Sequence, residues 1–369
     1  MIEGEVEGEG ESEGEAAVTT LSKRARAASA MDRVGLLDRA LWLRARLGLR
    51  ALTVLTYHRV GDPGDEGELS PELFEVTPAE LAAQLAMLSA QCTIVSLADL
   101  RRLRDGAPFP PNPVLLTFDD GYADNHHTAL PILRRAGVTA TFFIPTAYPD
   151  AGRLFWWDKI ALLIARSAVE AAELTYPIRQ TVHPRRDPRD AAARIGAAIK
   201  ATPRVDLARL WDDVERALGV TIAPEEEAAL ARRTLMSWSE IRALAAAGMD
   251  VQSHAHSHLV LNTLGRDEAE RDLRRSASIL REAVDQPVHS VAYPVGYELE
   301  GELRRAPAAA SFELGFTNDT GLCSMRRFDP FNVPRVSMDL STVGALYKLL
   351  LAVGDGRLPG ARRRAPSSS

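Results

Sequence analysis

Short apolar runs alternate with amphipathic segments along most of the chain. The runs over 51–58, 114–118 and 139–145 are apolar at most positions and are bounded by Pro, Gly or polar residues. Such runs are typical of strands buried on both faces. Between the first two, a helix start at 77–80 precedes leucines at helical spacing over 81–88. The pattern predicts an α/β fold with parallel strands.

The same pattern predicts the other elements of the fold. The remaining strands are predicted over 93–97, 248–254, 289–294, 314–318 and 333–338. After Asp120 a loop leads into a helix that ends near Gly137, and the other helices are predicted over 237–248, 267–284 and 347–353. From about 152 to 235 helical patterns dominate, which indicates a helical insertion into the strand–helix alternation.

Two adjacent carboxylates follow the apolar run 114–118. Core packing gives no reason for Asp119 and Asp120, and reactive groups of parallel α/β folds collect at the carboxyl ends of strands. Two carboxylates there indicate divided roles, one holding a cation and one moving protons.

A second polar cluster follows the strand that ends near residue 253. If a helical turn follows that strand, His254 and His258 lie on one face and His256 points away. Two imidazoles and one carboxylate leave an open position for water, as in a catalytic zinc site. The sequence alone does not rank Asp119 against Asp120 as the metal ligand.

These residues carry a family resemblance. The segments Thr-Phe-Asp-Asp-Gly at 117–121, Ser-His at 253–254 through His258, and Ala-Tyr-Pro-Val-Gly at 292–296 resemble polysaccharide deacetylases of the NodB-homology type, carbohydrate esterase family 4. Segments 57–60, 74–77 and 154–158 resemble the exopolysaccharide-associated branch of that family. The resemblance covers about 54–338 and implies a distorted (β/α) barrel with a helical insertion.

The resemblance also implies a mechanism, which we state as an expectation. Asp120, His254 and His258 hold a divalent metal, expected to be zinc with cobalt or manganese as alternatives, and Asp119 is the general base. A backbone N–H near Tyr293 stabilises the oxyanion, and the substrate is an N-acetylated glycan.

Other residues are expected to contact that substrate. Asn125 matches a position that the family often keeps near the substrate, while Asp124, His126 and His127 are interpreted as helix capping and a polar rim rather than a second metal site. Trp157 offers an aromatic platform for a sugar, although tryptophans in a helix more often belong to the core.

The chain departs from the family pattern in two places. The stretch near the last strand lacks the Leu-x-His that supplies a general acid in many members, and Val291-Ala292 replace the usual Arg-rich start of the third motif. Asp119 or His58 is the alternative proton donor, although His58 equally fits a core hydrogen bond. Arg335 is expected to bind substrate or to orient other groups.

Composition describes an ordinary globular protein with one unusual end. The formal charge of −6 comes from seven glutamates among residues 1–15; without them 44 basic residues stand against 43 acidic ones, so no nucleic-acid partner is expected. We expect an acidic disordered tail over 1–30, a barrel domain over 31–355 and a basic disordered tail over 356–369. Cys92 and Cys323 are interpreted as buried thiols.

The segment 31–49 mixes Leu and Trp42 with Arg at helical spacing. It is interpreted either as a helix packed on its own domain, which is the commoner case, or as one in weak contact with an anionic membrane surface. No secretory signal or transmembrane run is recognised, so the expected location is cytoplasmic, with membrane association as the alternative.

Three functions fit these residues. The first is a metal-dependent deacetylase of N-acetylated amino sugars. The second is a hydrolase of the same fold that acts on a non-sugar amide or an ester. The third is a catalytically silent glycan-binding protein, which the missing histidine suggests.

Overall fold

The computed structural model describes residues 23–64, 69–70 and 73–354. Residues 1–22 of the predicted acidic tail and all of 356–369 lie outside the described residues, as does part of the polar loop around 61–69. The backbone at 23–33 is helical, so the predicted tail boundary at residue 30 is wrong. No helix among the described residues is both long and apolar enough to cross a bilayer.

Thirteen strands are numbered here in chain order. They are β1 (Ala51–Tyr57), β2 (Arg59–Val60), β3 (Phe74–Val76), β4 (Thr93–Ile94), β5 (Pro113–Phe118), β6 (Thr141–Ile144), β7 (Ala172–Leu174), β8 (Gln180–Val182), β9 (Asp250–Ser253), β10 (Ser290–Ala292), β11 (Leu314–Phe316), β12 (Cys323–Ser324) and β13 (Val336–Ser337).

Apart from the helical backbone at 23–33, twelve α-helices of the described residues are numbered in the same way. They are α1 (Leu36–Arg46), α2 (Pro78–Gln91), α3 (Leu97–Arg104), α4 (Leu130–Ala136), α5 (Trp156–Arg166), α6 (Pro188–Ala201), α7 (Leu207–Leu218), α8 (Pro224–Thr234), α9 (Trp238–Ala246), α10 (Arg266–Ala283), α11 (Ala306–Ala309) and α12 (Gly344–Val353). A π-helical turn at Asn125–Ala129 leads into α4.

Local signals start and stop several helices as the sequence predicts. Thr77 caps α2 through a capping box with Glu80, and Ser237 caps α9 in the same way. Gly137 ends α4 in the left-handed conformation, with φ of 69°. The predicted strand over 93–97 is wrong in its second half, because Ser96 forms a third capping box and starts α3.

Parallel pairing builds the central sheet. Its main path runs β11-β10-β9-β6-β5-β1-β12, with β13 also paired to β1 and β4 to β5. All these pairs are parallel except β1 with β12. A parallel bridge between Phe316 and Val333 connects β11 to the segment that enters β13, so the sheet curls towards closure as a distorted (β/α) barrel. The carboxyl ends of β1, β5, β9, β10 and β11 therefore meet at one end.

The insertion after β6 has an apolar core of its own. Side chains of α5, α6 and α7 form that core, among them Leu163, Ile195 and Leu210. The sequence analysis missed the antiparallel hairpin of β7 and β8, which packs into the same core.

Gly315 in β11 gives room to a buried tyrosine. The Tyr293 hydroxyl donates to the carbonyl of Phe331 at 3.0 Å, and a Cβ added at Gly315 would overlap that hydroxyl. We therefore expect Gly315→Ala to lower the free energy of unfolding by about 1–3 kcal/mol, the usual cost of overpacking. Urea denaturation measures this change. Gly64→Ala, at a position with open space around it, is the control; equal stability of the two variants would contradict the prediction.

Candidate active site

Asp119 and Asp120 lie where β5 ends and the chain turns sharply. The Asp119 N–H still donates to Tyr57 of the neighbouring β1, at 2.9 Å. Asp120 then takes a left-handed conformation with φ of 70°, which Asp tolerates better than most residues, and Gly121 follows with φ of 73°. The turn directs the two adjacent carboxylates towards different partners.

Arg335 binds Asp119. The guanidinium donates from Nη1 and Nη2 to the two carboxylate oxygens at 2.9 and 2.8 Å, and both side chains are buried. Arg335 also donates to the carbonyl of Thr317 and to Asn318 Oδ1. Because Arg335 is fully buried, the prediction that it binds substrate is wrong, and its contact shows that it orients Asp119 instead.

Arg335 decides the protonation state of Asp119. Burial alone raises the pKa of a carboxyl group, but the charge and hydrogen bonds of Arg335, together with His254 and His58, hold the pKa of Asp119 below its ordinary value. Asp119 is therefore an ionised acceptor in a buried position.

Asp120, His254 and His258 form a buried cluster. The Nε2 atoms of His254 and His258 lie 3.2 and 3.0 Å from Asp120 Oδ1. Burial raises the pKa of Asp120, but the adjacent His254 and His258 hold it well below its usual range. The cluster sits beside the Asp119 carboxylate, since His254 Nε2 is 3.9 Å from Asp119 Oδ2.

The loop that presents the two histidines is not helical. Ala255 and His258 have positive φ angles of 61° and 57°, and the N–H groups of His256 and Ser257 donate to Asp272. The predicted helical turn is therefore wrong, although the imidazoles still converge. His256 turns away from the cluster to Thr146 Oγ1, at 2.9 Å.

The donor chemistry of this cluster fits a divalent cation. His254 Nδ1 lies 2.8 Å from the carbonyl oxygen of Ala292, which only accepts, so Nδ1 carries a proton, and in the neutral ring Nε2 presents a lone pair to Asp120. A lone pair facing a carboxylate oxygen is repulsive unless a cation lies between them. His258 Nδ1 is also buried without a hydrogen-bond partner among the described residues.

His58 enters the site from the end of β1. Glu75 of β3 accepts a hydrogen bond from the backbone N–H of His58 at 2.6 Å, and its other carboxylate oxygen lies 2.9 Å from His58 Nδ1. One carboxylate therefore fixes both the backbone and the ring of His58. Burial by itself lowers the pKa of His58, but Glu75, with Asp120 and Asp119, raises it to about 10. His58 borders the cavity described below and also makes the hydrogen bonds to Glu75, so the two readings left open by the sequence do not exclude each other.

Asn125 does not reach that cavity. It is fully buried, and its Nδ2 donates to the carbonyl of His58 at 2.8 Å and to Asp124 at 3.0 Å. The prediction of a substrate contact is therefore wrong; Asn125 holds the backbone of His58 from behind. Asp124 is also structural, since it pairs with Arg59 at 2.9 Å.

A cavity of about 480 Å³ joins these groups. One side carries His58, both carboxylates and both histidines, and the opposite wall comes from α5 and α6 of the insertion. Arg189 belongs to this wall in the first turn of α6, although its Pro-rich surroundings suggest a solvated loop. Nothing in the sequence around Arg189 distinguishes it from the neighbouring exposed arginines Arg185 and Arg186.

Trp157 lies in the cavity wall in a fixed orientation. Its ring stacks on Phe155 at a centroid distance of 4.4 Å and meets the His258 ring edge at 4.9 Å. Its Nε1 donates to the Tyr122 hydroxyl, which in turn donates to the buried Asp158. Trp156, by contrast, packs into the insertion core.

Tyr293 also borders the cavity, but its polar groups already have partners. Its N–H donates to the carbonyl of Phe316 at 3.0 Å, and its hydroxyl to Phe331. The N–H of Tyr293 itself is therefore already used, and the expected oxyanion donor near Tyr293 stays a prediction. Val295, two residues later, lines the cavity with a left-handed backbone.

Sequence reasoning missed two acidic residues of the site. Glu75 and Asp158 lie within segments that resemble the family branch, and each carboxylate directly follows a large aromatic residue. These positions could have drawn attention to the two carboxylates. Their partners, His58 for Glu75 and Tyr122 for Asp158, lie 17 and 36 residues away along the chain, so the local sequence does not reveal the contacts.

The fold and the site together define an α/β-barrel protein with paired carboxylates and two histidines at the carboxyl ends of its strands. A model of the polysaccharide deacetylase family matches residues 106–202 and 213–313, more than half of the chain. The protein belongs to this family, and it is a hydrolase of the deacetylase kind.

Several solved structures share the fold. The deacetylase PplD of Streptococcus pyogenes has 16% identity and a TM-score of 0.54, covering 83% of this chain and 99% of its own. IcaB from Ammonifex degensii has 18% identity and a TM-score of 0.52, covering 82% and 98%. A de-N-acetylase from Aggregatibacter actinomycetemcomitans has 14% and 0.52, covering 81% and 99%. No curated protein matches the chain.

The buried pair of Arg335 and Asp119 predicts a pH-dependent stability difference. Arg335→Gln leaves Asp119 buried without its cation, which we expect to cost about 3–5 kcal/mol near neutral pH. In the wild type the pKa of Asp119 is depressed, so its stabilising contribution is present above the unfolded value of about 3.9 and is lost at lower pH. In the variant burial raises the pKa of Asp119, so the gap between the two proteins should widen as the pH rises.

Urea denaturation at about pH 4.5 and pH 7 measures that gap. Arg102→Gln, which removes an arginine whose side chain is 74% exposed, is the control and should change stability by no more than about 0.5 kcal/mol. A constant gap between the two pH values would contradict the assignment.

Proposed function

We propose that this protein removes N-acetyl groups from amino sugars of a poly- or oligosaccharide, or of its precursor, in a metal-dependent hydrolysis. The observation that carries the proposal is the arrangement of Asp119, held ionised by Arg335, beside the Asp120–His254–His258 cluster in one cavity. Membership of the deacetylase family supports it.

Asp120, His254 and His258 would hold the metal. Zinc is the first expectation for two imidazoles and one carboxylate, with cobalt and manganese as alternatives. Such an ion polarises a carbonyl and lowers the pKa of a bound water from about 15.7 towards 7. The hydrogen bond from His254 to Ala292 fixes the orientation of one ligand.

Asp119 would act as the general base. It is ionised, it borders the cavity, and Arg335 fixes both of its oxygens, so its position towards an attacking water is set. The salt bridge also makes Asp119 a weaker base than an isolated buried carboxylate. The water must therefore be acidified by its surroundings for proton transfer to be efficient.

His58 would act as the general acid that the sequence otherwise lacks. Glu75 binds its Nδ1, and the raised pKa of His58 keeps the ring protonated at neutral pH. A cationic imidazole at the cavity can donate a proton to the leaving amine as the C–N bond breaks. Asn125 and Glu75 hold this residue in place but do not contact the cavity.

Trp157 would hold the sugar. One face of its ring is covered by Phe155, so a pyranose can stack only on the other face, towards the cavity. The hydrogen bond to Tyr122 fixes the ring plane before substrate binds.

The adjacent carboxylates allow a matched test of their roles. We expect Asp119→Asn to retain the metal and to lose roughly two to four orders of magnitude in rate, the range for a general base. Asp120→Asn should lose both the metal and the activity. The measurements are acetate release from N-acetylglucosamine oligomers, with a simple acetyl ester as the competing substrate, and metal content by mass spectrometry.

Three results would overturn this proposal. Loss of metal in Asp119→Asn with activity retained would reverse the two roles. Faster release from the ester than from any glycan would favour an esterase of the same fold. Glycan binding without acetate release by the metal-loaded wild type would favour a binding protein.

The pair of His58 and Glu75 predicts a change in the pH profile. In Glu75→Gln the carboxylate that raises the pKa of His58 is gone, and burial then lowers that pKa. His58 then loses the proton that the leaving amine needs at a lower pH, so the alkaline limb of the profile of kcat against pH should move to lower pH. Glu173→Gln, an exposed change in the insertion, is the control. An alkaline limb that stays in place would remove His58 from the mechanism.

A further inference from the structure

Large exposed apolar side chains concentrate at the N-terminal end of the described chain. Six of the ten such residues among the described parts lie between positions 34 and 49. They are Val34, Leu36, Trp42, Leu43, Leu47 and Leu49, with relative exposures of 62%, 45%, 58%, 49%, 61% and 48%. We call these six residues the N-terminal apolar patch. A cluster of this kind is unusual on a monomer surface and indicates an interaction site.

The helix that carries the patch is firmly attached by its other face. Leu37 and Leu41 of α1 are buried, and Arg44 donates to the carbonyls of Leu351 and Ala51 and to the hydroxyl of Thr53. The packed interpretation of this segment is therefore confirmed for one face of α1. The patch faces outwards because the inner face is already occupied.

Arginines surround the patch. Arg33, Arg39, Arg46 and Arg50 are exposed, and the Arg46 guanidinium lies 4.9 Å from the centre of the Trp42 ring. The one acidic residue between 33 and 50, Asp38, is paired with Lys348 and Gln91.

A second stretch of chain adds to this charge. The N–H of Met325 donates to the carbonyl of Arg50, so the exposed Arg326 and Arg327 begin next to the end of the patch. The surface therefore combines leucine and tryptophan with several cations and one neutralised acid.

We propose that the N-terminal apolar patch binds the surface of a lipid bilayer that contains anionic lipids. Leu and Trp side chains enter the boundary between headgroups and acyl chains, while arginines keep their aliphatic stems in that boundary and their guanidinium groups at the phosphates. The mixture of apolar and cationic residues matches such a surface in both respects. An acidic protein partner would satisfy the arginines but leave the apolar patch without a match.

Vesicle cosedimentation of the full chain tests this proposal. Vesicles of phosphatidylcholine alone are compared with vesicles that also contain phosphatidylglycerol, at near-physiological salt. We expect binding to the anionic vesicles and little to the neutral ones, with affinity that falls as salt is raised. Deacetylase activity is not the readout, so failure here would leave the proposed function untouched.

Two variants separate the apolar and the cationic contributions. Trp42→Gln with Leu43→Gln and Leu47→Gln should weaken binding to anionic vesicles by about 100-fold or more, since several apolar side chains no longer enter the bilayer. Arg39→Gln with Arg46→Gln should weaken it by about 30-fold, at the usual contribution of each cation near an anionic surface.

Matched controls lie in the insertion. Ile178→Gln removes an apolar side chain that is 50% exposed, and Arg185→Gln with Arg186→Gln removes two exposed cations. Both should bind vesicles as the wild type does.

Three outcomes would overturn the proposal. They are equal binding to neutral and anionic vesicles, patch variants that bind like the controls, and light scattering that shows a dimer broken by the patch variants. The last would assign the patch to a second copy of this chain.

Discussion

The salt bridge between Asp119 and Arg335 is the constraint on which the site depends. Both groups are buried, so neither tolerates the loss of the other, and both must arrive at the same place as the chain folds. Asp119 follows β5, and Arg335 comes immediately before β13, 216 positions later. Because β1 pairs with both β5 and β13, one strand sets the distance between the two partners. The geometry of the Asp119 carboxylate is thus tied to the closure of the sheet.

The two adjacent carboxylates acquire different chemistry from their surroundings rather than from their own positions in the sequence. A change to left-handed backbone at Asp120 separates them, so one carboxylate meets a guanidinium and the other meets two imidazoles. Burial raises the pKa of both carboxyl groups. Their partners lower each pKa below its ordinary value, so both groups are ionised. A strained residue at the end of β5 is consistent with strain being concentrated at functional sites.

Features that depend on neighbours along the chain could be predicted from the sequence. Only a few adjacent residues are needed to recognise the capping boxes at Thr77 and Ser237 and the helix end at Gly137. The apolar runs were sufficient to predict most strands of the central sheet. The strand predicted over 93–97 failed because a capping signal at Ser96 overrode a short apolar run. The site residues Asp119, Asp120, His254 and His258 were found from motifs, although the turn that carries the histidines was not.

What the sequence could not provide were contacts between distant segments. Whether Arg335 meets substrate or Asp119, and whether Asn125 faces the cavity or the back of His58, depends on the register of strands that pair across the sheet. The same holds for Tyr293, whose N–H is used by pairing with β11.

The insertion has an apolar core separate from that of the barrel, yet two of its helices form a wall of the cavity. Gly196 of α6 lets the Trp156 ring approach closely, so small changes there would alter the depth of the cavity. The carboxylates and histidines of the site and the helices that face them thus belong to parts of the chain with separate apolar cores. In such a division, substitutions in the insertion can change the shape of the cavity without disturbing the packing beneath the carboxylates and histidines.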